Sequence, residues 1–192
     1  NSYADLIMLG AFRSDEEVGI YRAVFQMALL VIFGLQSTNL VLQPYFAGLY
    51  EQNEIGKLQR LVTISARFIL AMALMPVAAF VAFGSDILGW VFGDAFREGA
   101  IALAVLAVGQ LVNAGMGSVA ALLNMTGRER DTVRGVAFAA ALNIALNFIL
   151  IPAYGMDGAA AASAITLGFW NFLLWFFVKK RLGIDSTALG IS

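Results

Sequence analysis

Arg22, Gln26, Gln36, Asn39 and Gln43 lie in one otherwise apolar stretch, and at about 100° per residue they fall within a helical arc of about 140°. Polar side chains are costly in hydrocarbon, so an ordered stripe of them predicts a wet face turned to a cavity rather than to lipid. Amides hydrogen-bond hydroxyl groups and a guanidinium grips phosphate through its planar fork, so the chemistry on offer is recognition, not bond-making. Gln110 and Asn113 stand three apart and Asn143 and Asn147 four apart, so each pair shares a helix face. The plainer reading of such amides is that they bond neighbouring helices, worth about 0.6 kcal/mol apiece where measured. Asp5 is the one acid inside an apolar stretch, and it and Arg22 flank the "FRSDEEVG" turn almost evenly, Asp5 eight residues before Arg13 and Arg22 eight after Ser14. Antiparallel helices would bring the two to one depth, which predicts an Asp5–Arg22 pair and makes Asp5 the candidate for proton coupling.

Those side chains need apolar elements to hold them. The 192 residues are 60% hydrophobic and 13% charged, with mean hydropathy +0.81, against roughly a quarter charged in soluble domains. With no cysteine and no histidine, disulfides, thiol nucleophiles and the commonest metal sites drop out. No catalytic constellation, cofactor motif or metal-ligand set is present. A net charge of -1 gives no case for nucleic acid. The chain opens at Asn1 without a basic n-region, which predicts a piece of something longer rather than a signal peptide.

A membrane-spanning helix needs about 20 mainly apolar residues. On that template the fold is an all-α polytopic membrane bundle: a partial span over residues 3–12, then full spans over 19–47, 61–83, 100–125, 133–151 and 158–178. Lys57, Arg60, Arg67, Arg128, Arg130, Arg134, Lys179, Lys180 and Arg181 collect on alternate connectors and the tail. Basic excess marks the cytoplasmic side, so residues 48–60, 126–132 and the carboxy terminus are expected inside, and residues 13–18, 84–99 and 152–158 outside. Tyr21, Trp90 and Tyr154 then belong to an outer aromatic belt and Tyr45, Tyr50 and Trp175 to an inner one. Arg67 and Arg134 read as snorkelling anchors. "SDILGWVFGDAF" is too short to span and is expected along the outer interface. Pro44 and Pro76 predict kinks, and Gly109, Gly115 and Gly117 a bend in the third full span.

"LIPAYGMDGAAAASA", residues 150–164, predicts a helical hairpin. Pro152 stops one helix, Gly155 and Gly158 permit reversal, and the alanines let a neighbouring backbone approach closely.

"YADLIMLGAFRSDEEVGIYR", "NLVLQPYFAGLYEQNEIGKLQRL" and "LNIALNFILIPAYGMDGAAAASAI" resemble the carboxy-terminal half of bacterial polysaccharide (O-antigen and exopolysaccharide) flippases. These belong to the multidrug/oligosaccharidyl-lipid/polysaccharide exporter superfamily. The resemblance covers residues 1–192 in order and implies one lobe of a two-lobe transporter, multi-pass in the bacterial inner membrane with its carboxy terminus cytoplasmic. It implies no enzyme activity and no cofactor. Its cargo would be a lipid-linked oligosaccharide on a polyprenyl pyrophosphate, moved from inner to outer leaflet by alternating access, and its partners membrane lipid and an absent amino-terminal lobe. On that reading Arg22 faces the pyrophosphate and the amides line the cavity. An ion-coupled multidrug exporter shares the fold, and an integral-membrane glycan polymerase or ligase is the alternative from another class. It would need a catalytic outer loop, for which only Asp86, Asp94 and Glu98 are at hand.

Overall fold

The computed structural model describes residues 2–190, and every regular element among them is helical. The chain is an all-α bundle. By length and composition, the stretches 15–51, 55–92, 94–116 and 129–182 can cross a membrane.

Helix α1 (Ser2–Phe12) turns into α2 (Asp15–Leu29) at Ser14, whose hydroxyl caps the Glu17 N–H, with Asp15, Glu16 and Glu17 in the positive first turn. A 3-10 turn, Leu30–Ile32, then joins α2 to α3 (Phe33–Glu51). This corrects the single straight stripe. Three residues wound at about 120° instead of 100° rotate Gln36, Asn39 and Gln43 by roughly 60° relative to Arg22 and Gln26.

Helix α4 (Ile55–Phe92) has 38 residues, about 57 Å at 1.5 Å per residue and far more than a hydrocarbon core of ~30 Å. It breaks at Phe83 (φ -127°, ψ 16°), where the sequence changes from spanning to short and amphipathic. Beyond it, Arg97 binds Asp86 at 2.8 Å and Asp94 at 2.9 Å within the 3-10 segment Asp94–Gly99 and its approach.

The expected span 100–125 is two helices, α5 (Ala100–Met116) and α6 (Val119–Met125). Gly117, at φ +73°, takes a conformation that side chains disfavour and so breaks the helix outright instead of bending it. Helix α7 (Glu129–Leu182) reverses at Gly155 (φ 57°, ψ -133°). The pairs Gly135/Leu174 and Asp131/Arg181, which lie almost symmetrically about Gly155, are in contact. Its two arms form the hairpin that the glycines and Pro152 predict.

Long-range contacts sort the connectors into two ends. At one end Arg13 donates to the Ile151 and Pro152 carbonyls (3.3 and 3.0 Å) and Glu17 accepts from the Met156 N–H (2.6 Å), so the first turn caps both sides of the hairpin reversal. Gly99 packs against Ile20 and Val24 there. At the other end Gln59 holds the Asp185 N–H and C=O, both at 2.7 Å, and Asp131 meets Arg181. One apolar core (Leu9, Tyr21, Leu88, Leu103, Ile151) serves the acidic end and a second (Phe46, Leu58, Leu122, Leu174, Ile184) the basic end.

Candidate functional site

Amide side chains gather where the two cores meet. A cavity of about 290 Å³ is lined by Gln36, Asn39, Gln110, Asn113, Ser118 and Asn171. A second, of about 280 Å³, shares Gln110, Leu167 and Trp170 with it and continues past Phe25 to Ser163. Together they form one groove along α5 and the second arm of α7. The break at Gly117 turns Ser118 towards α3, where its hydroxyl donates to the Asn39 Oδ1, and the Asn113 amide donates to the Gln110 Oε1 at 3.3 Å. The Trp170 indole N–H has no acceptor among the described residues. These are uncharged donors and acceptors over an aromatic and aliphatic floor, suited to hydroxyl-rich ligands.

Behind Ser163 lies Asp5, fully buried. Its carboxylate accepts from the Asn147 amide (2.6 Å), the Tyr21 hydroxyl (3.4 Å) and the Ser163 hydroxyl. Asn147 also donates to the Asn143 Oδ1 at 3.2 Å, and Asn147 Oδ1 is left without a donor. One carboxylate thus ties α1, α2 and both arms of α7 together. A buried carboxylate is stable only when neutral, hydrogen-bonded or paired, and Asp5 has no ion-pair partner among the described residues. Carboxylate, amide and hydroxyl oxygens suit a proton or a hard cation, not a transition metal.

The structure separates the sequence-predicted residues into groups. Gln36, Asn39, Gln110 and Asn113 share the groove. Asn143 and Asn147 are buried in the Asp5 network instead. Gln26 is exposed and Gln43 half-buried, neither lining the groove. The expected Asp5–Arg22 pair does not form. Arg22 is exposed with no acid in reach among the described residues, and Tyr21, one position earlier on the helix, points inward to Asp5 instead. Adjacent residues on a helix diverge by about 100°, so equal depth did not mean equal face. Tyr21 is accordingly no belt residue, being fully buried, whereas Trp90, Tyr154 and Tyr45 are exposed. Arg67 is tied to the Ala188 and Gly190 carbonyls rather than free to snorkel. Ser118, Ser163, Asn171 and Trp170 escaped sequence reading. Asn171 alone carried a signal, an amide inside an apolar run like Asn143.

Two archaeal proteins of Haloferax volcanii align with this chain. One, named a probable low-salt glycan biosynthesis flippase, Agl15, is 25% identical over 86% of the chain and 35% of its own length. The other, named a probable flippase, AglR, is 29% identical over 90% of the chain and 37% of its own length. The chain is similar to flippases. It spans a little over a third of the length of these curated relatives. No family model matches it, and no solved structure does. Apolar helices together with these relatives make it a multi-pass membrane protein. The relatives are archaeal, so the bacterial assignment of the sequence reading gains nothing from them.

Proposed function

We propose that this chain is one lobe of a flippase that carries a lipid-linked oligosaccharide from the inner to the outer leaflet by alternating access. The observation that carries the reading is the amide-lined groove of Gln36, Asn39, Gln110, Asn113 and Asn171 in an otherwise apolar bundle. Similarity to two flippases supports it. Uncharged amides and an aromatic floor favour sugar hydroxyls over cationic drugs, which an acid-lined cavity would attract. The other lobe, on this reading, completes the cavity. Arg22, exposed and unpaired among the described residues, meets the anionic pyrophosphate when the cargo enters. Asp5 couples transport to an ion: its protonation or occupation by a hard cation changes the bonds that hold α1 and α2 to the α7 hairpin.

The test is glycan export in cells that depend on the complete polypeptide. Gln110→Leu with Asn113→Leu should cut export by at least tenfold at normal membrane expression, and Asp5→Asn should weaken its dependence on the ion gradient. Full export by the double variant would remove the groove from the transport path.

A further inference from the structure

The basic end of the α7 hairpin holds a further cavity, separate from the groove. It measures about 340 Å³ and is lined by Arg128, Arg130, Arg134 and Arg181 with Glu129 and Asp131. Asp131 is buried, its side chain 7% exposed, and meets Arg134 and Arg181 at 3.3 Å each. It therefore fixes one guanidinium from each arm across the opening. Each contact engages one nitrogen, and a guanidinium has five N–H donors, so most remain for another acceptor. Arg128 and Arg130 are exposed without an acidic partner among the described residues. Four guanidinium groups against two carboxylates leave the pocket with two positive charges.

What lies beside the pocket points to the ligand. Arg130, Arg134 and Phe138 follow one another at four-residue steps, and Ala141, Ala145 and Ile149 continue the same exposed face away from the basic end. Phe138 is 63% and Ile149 68% exposed. Val136, turned about 200° from Arg134, lines the polar groove on the other side of this arm. The outward face thus has a phosphate-binding head and an apolar track beneath it, the two halves of a phospholipid. Basic pockets between spanning helices bind anionic headgroups in this way.

We infer that the arginine pocket at the open end of the hairpin binds the phosphodiester headgroup of an anionic membrane phospholipid, with an acyl chain along Phe138 to Ile149. Arg134 and Arg181, preset by Asp131, grip the phosphate; Arg128 and Arg130 add attraction; Glu129 opposes it. Bound lipid would clamp the arms at the end opposite Gly155.

The complete polypeptide in neutral detergent is titrated with phosphatidylglycerol, phosphatidylcholine or inorganic phosphate, and binding is followed by native mass spectrometry. Phosphatidylglycerol should bind at least tenfold more tightly than phosphatidylcholine, and phosphate alone should not saturate the site. Arg128→Gln with Arg130→Gln should weaken phosphatidylglycerol about thirty-fold at low salt, the worth of two surface arginines. Neither arginine holds the fold, so lipid-free melting should stay unchanged. Glu129→Gln should tighten binding. Equal affinity in wild type and double variant overturns the site, and equal affinity for the two lipids overturns the role of charge. Comparable binding of inorganic phosphate overturns the lipid assignment in favour of a soluble anion.

Discussion

At the residue level, Asp185 shows how a single carboxylate can organise a chain segment. Its Oδ1 accepts from the Trp175 indole (3.1 Å), the Thr187 N–H (3.1 Å) and the Thr187 hydroxyl (2.9 Å), while Lys179 lies 3.6 Å from Oδ2. Burial pushes this carboxyl up, but the Thr187 N–H, the indole, the Thr187 hydroxyl and Lys179 more than offset it and hold the group below its ordinary range. The sign follows from linkage: the stability Asp185 contributes is present above the unfolded carboxylate value of about 3.9 and is lost as pH falls from there through the lowered folded value. Asp185→Asn should therefore flatten the acid limb of tail docking, measured as protease cleavage after Gly183 across pH 5 to 2. An unchanged profile would assign that limb to another acid. The Asp185–Thr187 turn is local to "GIDSTALG", but nothing in that stretch announces where the tail docks, because Gln59 and Arg67 reach it from more than a hundred residues away.

Between elements, approach distance decides the packing. Gly109 lets α5 touch the second arm of α7 so closely that a Cβ there would stand 2.9 Å from the Ala164 Cβ and 3.0 Å from its Cα. In a membrane, close contact between small residues replaces the hydrophobic drive as the source of helix affinity. Gly109→Leu should cost about 1–3 kcal/mol by overpacking, whereas Gly168→Leu, with nothing within 4 Å of its would-be Cβ, should be neutral. Thermal unfolding in detergent compares them, and equal melting of both would contradict the close approach. The alanine run behaves as its composition predicts in one respect: Ala159, Ala160 and Ala162 are fully buried. Ala159 and Ala160 share their core with residues of α1, α2 and α5, so the small face serves several helices rather than the first arm alone.

The whole bundle is polarised. Residues 13–18, 84–99 and 152–158 meet at one end, and residues 48–60, 126–132 and the tail at the other. Basic excess at the second end predicts that it faces the cytoplasm. The chain has no native cysteine, so cysteines introduced at exposed Asp15 or Asp94 should react with an impermeant thiol reagent outside sealed cells, and ones at exposed Asn53 or Glu129 should not. The reverse pattern would invert this orientation.

The helical class, most of the long apolar helices, the hairpin at Gly155 and the sorting of charge were legible in the sequence because hydropathy, proline and glycine act locally, over one or two helical turns. Asn39, Gln110 and Asn113 were legible as polar residues in apolar runs, for the same reason. Only the tertiary structure decided which polar groups meet. Asp5 finds Asn147 and Ser163 from 142 and 158 residues away, and a 3-10 turn at Leu30–Ile32 and a break at Gly117 set the faces that Asn39 and Ser118 present. Partner choice in a bundle depends on rotation about each helix axis, and a rotation of about 100°, one residue's worth, was enough to exchange Arg22 for Tyr21 beside Asp5.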